Sequence, residues 1–245
     1  MNKNLFIDCV DKFGGKIDEE KLNQFEIYSS LLVEWNEKMN LTGVTDPDGI
    51  SVRHFADSIS PLFHIDFPEN SKIIDVGTGA GFPGVPIKIM RPDIKITLMD
   101  SLNKRITFLK EVREKTEISD VECVHARAEE FSRKEEYREK YDIGISRAVA
   151  NLRVLSEYVL PFVKVGGYFI SMKAMEIDEE INDAKEKIKL LGGEIKEIKT
   201  IEIPNSDVMR KLVIIKKVKK TDKKYPGRKI KLEAFASLFY LIGNV

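Results

Sequence analysis

Residues 73–84 read IIDVGTGAGFPG: two apolar residues, an acid, and then four glycines within the last eight positions. An apolar run that ends in glycines reads as a strand entering a turn where the backbone passes close to a ligand, because glycine takes positive φ without strain. The stretch that follows has helical character, so the turn joins a strand to a helix, the setting in which nucleotide-like ligands are held.

Downstream of this turn, short apolar runs alternate with amphipathic helices. The runs are KIIDVG, IKITLMD, DVECVHA, YDIGISR, GGYFISMK, EIKEIKTIEI and KLVIIKK. Alternation of this kind predicts an α/β fold with a mostly parallel seven-stranded sheet and helices on both faces. The last two runs are joined by the turn residues PNSD at 204–207 without a helix between them, which predicts an antiparallel hairpin at one sheet edge.

Upstream the pattern is helical. Leu22, Phe25, Tyr28, Leu32, Trp35 and Met39 recur at spacings of three and four behind Asp18, a fitting N-cap. TDPDG then breaks the helix, and a second helix is expected to restart near Ile50. DFPEN at 66–70 marks the boundary between an N-terminal helical region, 1–70, and the α/β domain, 71–245.

The glycine turn satisfies G-x-G-x-x-G as Gly79, Gly81 and Gly84, so a nicotinamide or flavin dinucleotide has to be weighed, as does a turn with no ligand. Two features favour another ligand. Asp75 ends the strand where a dinucleotide site carries an apolar residue. Pro83 and Pro86 remove backbone donors that a pyrophosphate needs. Asp100, after the second strand, suits the two hydroxyls of a ribose, a feature that both readings share. An adenosine without phosphate, as in S-adenosylmethionine, fits these features best.

Composition sets the outer limits. Forty Lys and Arg balance forty Asp and Glu over 245 residues, so any polyanion site has to arise from local clustering. Cys9 and Cys123 lie far apart and read as small apolar residues of a reducing compartment. No apolar run approaches the ~18 residues of a membrane span, so a cytoplasmic protein with no membrane partner is expected. No metal-ligand spacing is present.

Over residues 20–217 the chain resembles the bacterial small-subunit ribosomal RNA methyltransferase family RsmG, formerly glucose-inhibited division protein B. The stretches that carry the resemblance are NLTGVTDPDGISVRHFADSIS, IIDVGTGAGFPGVPIKIMRPDIKITLMDSLNKRITFLKEV, ARAEEF and GISRAVANL. The resemblance implies a class I, Rossmann-like methyltransferase. It would transfer the methyl of S-adenosylmethionine to N7 of one guanine in 16S rRNA, conventionally numbered 527, with the 30S subunit as partner. By matching motifs, Gly77, Gly79, Phe82, Ala128, Glu129 and Arg147 are similar to cofactor-contacting positions, joined by Asp100 from the ribose argument. Asn40, Arg53, His54, Asp57, Arg127 and Arg210 are the RNA-side candidates. His54 reads equally as a helix cap, and Phe82 either stacks on the target base or walls the adenine site. His64 and His125 read as structural.

Residues 210–231 hold eleven Lys or Arg against Asp222 alone, which suits phosphate binding or a solvated tail. The tail KKYPGRKIKLEAFASLFYLIGNV begins as the family's basic tail does and then turns apolar, with a short helix expected over 232–242. A monomer is expected. The competing readings are a methyltransferase for another RNA or a small molecule, and a noncatalytic cofactor- or RNA-binding module.

Overall fold

The computed structural model describes residues 1–147 and 149–227. The seven strands are β1 (Lys72–Val76), β2 (Lys95–Asp100), β3 (Val121–His125), β4 (Tyr141–Arg147), β5 (Val163–Lys173), β6 (Gly193–Glu202) and β7 (Met209–Lys217). They form one sheet in the order β3-β2-β1-β4-β5-β7-β6. β1 to β5 pair in parallel, and β7 inserts antiparallel between β5 and β6. The expected edge hairpin is therefore β6–β7. Strand order reverses between β1 and β4, so a crevice opens at the carboxyl ends of those two strands, where open α/β sheets bind their ligands.

Alternation along β1 sends Ile73 to one face and Ile74 and Val76 to the other, and a separate apolar cluster fills each side. On the Ile74 side lie the helices Leu152–Val159 and Asp178–Leu190. On the Ile73 side the helices Gly84–Met90 and Asn103–Lys115 share their core with the N-terminal helices α1 (Lys3–Lys12) and α2 (Glu19–Lys38). Asp18 caps α2 as expected, its carboxylate accepting from Lys21 N at 2.9 Å. Leu22, Phe25, Tyr28 and Leu32 are buried, while Trp35 and Met39 pack at the margin. Burial of each large side chain in this stripe is worth about 1.5–3 kcal/mol, which is what holds α2 to the sheet.

The second N-terminal helical stretch begins earlier than expected. Asp46 caps it by accepting from Gly49 N at 2.7 Å, and Pro47 takes the first helical position, where its missing N–H costs nothing. The stretch then passes into a π-helix, Ile50–Ala56, followed by Asp57–Ile59 and Pro61–His64. The π turn lies in the RHFADS motif, consistent with the tendency of such turns to mark functional sites. His54 is inside this helix and caps nothing.

The basic run does not form one patch. β7 carries Arg210 at the carboxyl end of β4 and β5 and delivers Lys217 to the opposite end of the sheet. The helix expected over 232–242 and the end of the basic run, 228–231, lie outside the described residues. Among the described residues no helix is long and apolar enough to cross a membrane.

Candidate active site: a glycine loop facing two arginines on a buried aspartate

The loop after β1 folds over the ends of two strands: the N–H groups of Gly77 and Thr78 both donate to Met99 O, at 2.8 and 3.0 Å. Gly77 and Gly79 have φ of +73° and +62°. A Cβ on Gly77 would lie 2.6 Å from Val149, whereas a Cβ on Gly79 would meet nothing within 4 Å. Gly77 is therefore glycine for packing as well as conformation. Gly79 faces open space in the crevice, where a ligand can approach the backbone.

Two carboxylates set the shape of this loop. Asp75 is fully buried, and its Oδ2 accepts from Thr78 Oγ1 at 2.7 Å and from Gly84 N at 2.9 Å. Its Oδ1 is buried without a partner, and burial pushes the carboxyl pKa up to about 7. Asp75 thus clasps the loop from beneath. Asp100 ends β2 and accepts from Gly79 N at 3.0 Å, Leu102 N at 2.9 Å and Arg105 Nη1 at 3.2 Å. A carboxylate offers about four acceptor positions, so one remains for a ligand hydroxyl and a second becomes available if Arg105 shifts. Leu102, beside it, is 52% exposed, an apolar surface at the mouth of the crevice.

Across the crevice, at the end of β4, the chemistry is ionic. Asp57 is completely buried and bridges two arginines. Its Oδ2 accepts from Arg147 Nη1 at 2.9 Å, and Arg210 donates Nε to Oδ1 at 3.0 Å and Nη2 to Oδ2 at 3.2 Å. Arg147 Nη1 also reaches Arg53 O at 3.2 Å. Burial lowers the Arg147 pKa, and the Asp57 charge opposes that shift.

Phe82 joins the two halves. His54 stacks on its ring at 4.5 Å between centroids, and the Arg147 guanidinium lies 4.9 Å from the ring centre. His54 Nε2 meets Thr42 Oγ1 at 2.7 Å, and burial drives the imidazole pKa down to about 3, so the ring is neutral at physiological pH. Phe82 itself is only 7% exposed. The Tyr28 hydroxyl of α2 donates to Ala80 O, so the N-terminal helices hold the glycine loop from its far side.

Of the residues expected from sequence, Gly77, Gly79, Phe82, Asp100, Arg147, Arg53, His54, Asp57 and Arg210 therefore gather around one crevice. Ala128 and Glu129 open the short helix Ala128–Phe131 after β3, near Asp100, whose carbonyl accepts from Ala126 N at 3.2 Å. Arg127 is exposed, with Nη1 3.9 Å from Glu129. Asn40 is exposed just beyond α2, and its side chain makes no hydrogen bond among the described residues. Its neighbours are held instead by Asn36, whose Oδ1 accepts from Leu41 N and Thr42 N at 2.7 and 2.8 Å. Sequence reasoning did not place Tyr28, Asn36, Thr42, Thr78 or Arg105 at the site. Thr78, inside the glycine turn, had a local signal; the hydroxyl of Tyr28 was hidden in an apolar stripe.

The fold is shared with known enzymes. A S-adenosylmethionine-dependent methyltransferase from Aquifex aeolicus superposes with a TM-score of 0.52 at 17% identity, covering 75% of this chain and 97% of that one. TrmN from Thermus thermophilus gives 0.51 at 14% identity, covering 66% of this chain and 48% of its own. In sequence, the chain is 49% identical over 232 residues to ribosomal RNA small subunit methyltransferase G of Clostridium novyi, covering 93% of this chain and 95% of that one. It is 52% identical over 211 residues to the Clostridium botulinum protein of the same name, covering 86% and 88%. The family described as rRNA small subunit methyltransferase G matches residues 21–211, which include the glycine loop, Asp57, Arg147 and Arg210. The chain belongs to the ribosomal RNA small subunit methyltransferase G family.

Proposed function

We propose that this S-adenosylmethionine-dependent enzyme methylates N7 of one guanine in 16S rRNA, at the position conventionally numbered 527. The observation that carries this reading is the meeting at Phe82 of a glycine loop and a cationic cluster. The crevice presents backbone on one wall and guanidinium groups on the other, and the two titratable groups with shifted pKa beside it, His54 and Asp75, are both buried and engaged in holding Phe82 and the loop. The bound cofactor supplies an activated methyl on a sulfonium centre.

Gly77 and Gly79 let the backbone approach the cofactor, Asp100 accepts from its ribose, and Phe82, Ala128, Glu129 and Arg147 complete its walls. Guanine N7 has an in-plane lone pair and no proton, so the new N–C bond forms without a base. Positive charge passes onto the purine, and alignment with fixed charges suffices for catalysis. Neutral His54 and the loop-clasping Asp75 fit that requirement.

Residues 1–70 form the RNA-side region in this reading, and residues 71–245 the catalytic domain. Arg53, Arg127 and Asn40 are exposed and meet RNA directly; Arg210 reaches it from the hairpin. Asp57 and His54 are buried and act by holding Arg147, Arg210 and Phe82 in place. A guanine must leave its stack to reach this crevice, and the guanidinium groups offer it a flat partner. The enzyme acts as a monomer.

The test uses methyl-labelled S-adenosylmethionine and 30S subunits lacking the modification, followed by mapping of the labelled nucleotide. Label on N7 of the expected guanine is the predicted result. Label elsewhere in the rRNA, or none from protein that binds the cofactor, would reject the assignment of atom and site.

A further inference from the structure

Beyond the crevice, the segment after β7 adds nothing to the sheet, yet it is firmly anchored. Lys217 is fully buried at the end of β7; its Nζ donates to Leu160 O at 2.6 Å and Thr221 Oγ1 at 2.7 Å and lies 3.4 Å from Glu139. Arg138 donates to four carbonyls, of which three, Thr221, Asp222 and Tyr225, belong to the segment, at 3.0–3.2 Å. Glu157 accepts from Gly227 N at 2.7 Å and pairs with Lys187, whose ammonium also sits over the Tyr225 ring. Three buried or half-buried cations and two carboxylates are thus committed to holding ten residues, 218–227, in one conformation.

What the segment and the end of β7 display is charge. Lys216, Lys219, Lys220, Lys223 and Lys224 are exposed. The acid among them, Asp222, is occupied by Lys224, with Oδ1 accepting from its N–H at 3.0 Å and Oδ2 3.4 Å from its ammonium. Among the described residues no carboxylate lies within ion-pair distance of Lys216, Lys219, Lys220 or Lys223. Lys72, Lys95 and Lys140 are exposed at the same end of the sheet, interspersed with Asp120, Glu122 and Glu136. In a chain of zero net charge, fixing like charges together is unfavourable unless a polyanion meets them.

The register locates this surface. β7 pairs with β5 as Lys173↔Lys211 and Tyr168↔Lys216, and β5 with β4 as Arg147↔Met172. Arg210 is therefore at the crevice, and Lys217 lies seven residues away at the other pole, about 23 Å at ~3.3 Å per residue. We propose that the anchored segment is a second docking surface, which grips the sugar-phosphate backbone of small-subunit rRNA remote from the methylated nucleotide. This rests on the rRNA methyltransferase reading above and adds a partner site to it. A site that distant serves a folded particle better than an isolated loop, because only the particle presents backbone to both poles at once.

The experiment compares wild type with the triple variant Lys219→Gln, Lys220→Gln, Lys223→Gln on two substrates: unmodified 30S subunits and a short RNA hairpin carrying the target loop alone. For 30S, the variant's KM at 150 mM KCl is expected to rise about tenfold or more with kcat unchanged. Its slope of log KM against log salt should flatten by about two to three, near one for each phosphate that the variant no longer neutralises. The hairpin KM and the affinity for S-adenosylmethionine should not move. An unchanged 30S KM overturns the proposal, as does an equal loss on the hairpin or in the control Lys110→Gln, Lys115→Gln, Lys185→Gln. Binding of wild type to phosphatidylglycerol vesicles at 150 mM KCl, lost in the triple variant that still methylates 30S normally, would assign the surface to a membrane instead. If wild type methylates neither substrate, the functional reading itself fails, and that failure is visible without any variant.

Discussion

On the β1 side of the crevice, the loop is shaped by contacts between near neighbours: Thr78 and Gly84 donate to Asp75 across three and nine positions, and Gly79 to Asp100 across 21. On the β4 side, Asp57 draws Arg147 from 90 residues away and Arg210 from 153. One wall is mostly backbone, built locally around two carboxylates; the other is side chain, built at long range around an arginine pair. The local wall can form as soon as two strands pair, because closing short loops costs little entropy. The ionic wall exists only when the N-terminal helices, β4 and the hairpin have all docked, so it reports the state of the whole fold.

The largest effect should therefore come from the ionic wall. Asp57→Ala leaves two arginines facing each other without their counter-ion and should cost about 3–5 kcal/mol in urea denaturation. A variant as stable as wild type would show that the arginines find other partners and that this wall is no more cooperative than the other.

The local wall predicts a pH signature instead. With a folded pKa of about 7 against an ordinary value of 3.8, the Asp75 contribution is fully present below pH ~4 and is lost as pH rises through 7. Stability measured from pH 5 to 8 should fall in wild type by on the order of 2–4 kcal/mol relative to Asp75→Asn, which cannot titrate. Parallel curves for the two proteins would mean that Asp75 stays ionised beneath the loop.

Within that same wall, Gly77→Ala should be worse for folding than Gly79→Ala. The first adds a collision with Val149 to an unfavourable φ and should cost about 2–3 kcal/mol; the second carries only the backbone strain, about 1–2 kcal/mol. Calorimetry should show the reverse emphasis for Gly79→Ala, with cofactor affinity falling more than stability, since its Cβ would enter the open crevice. Smallest in stability is Arg53→Ala, within about 0.5 kcal/mol of wild type. Its methylation of 30S should nonetheless drop about tenfold, and an unchanged rate would remove Arg53 from the RNA side.

The same division explains what could be read from sequence. The seven strands, the edge hairpin and the glycine loop follow from a change of hydrophobic period and from turn residues, which are local signals. RHFADS and the arginines were recognisable only through family resemblance, and nothing local said that one carboxylate, Asp57, would be buried between two of them. The basic run from 210 onward looked continuous because sequence does not show that β7 spans the sheet and separates its two ends. Asp46 and Pro47 did carry a helix-start signal, but Asp48-Gly49 beside them reads as a turn, and tertiary packing of Ile50 and Val52 decided the matter.

The sharing of one apolar cluster between the N-terminal helices and the sheet has a consequence for how the chain is made. Phe6, Phe25, Tyr28 and Phe55 pack with Phe82 and Phe108, so the earliest helices leave the ribosome before the surface that covers them exists. Asp57 waits long for its second partner: Arg210 is translated 153 residues later, on the order of 8–30 s at ~5–20 residues per second. During that interval the nascent chain shows an aromatic face to its surroundings, which makes its first quarter a natural client for a ribosome-associated chaperone.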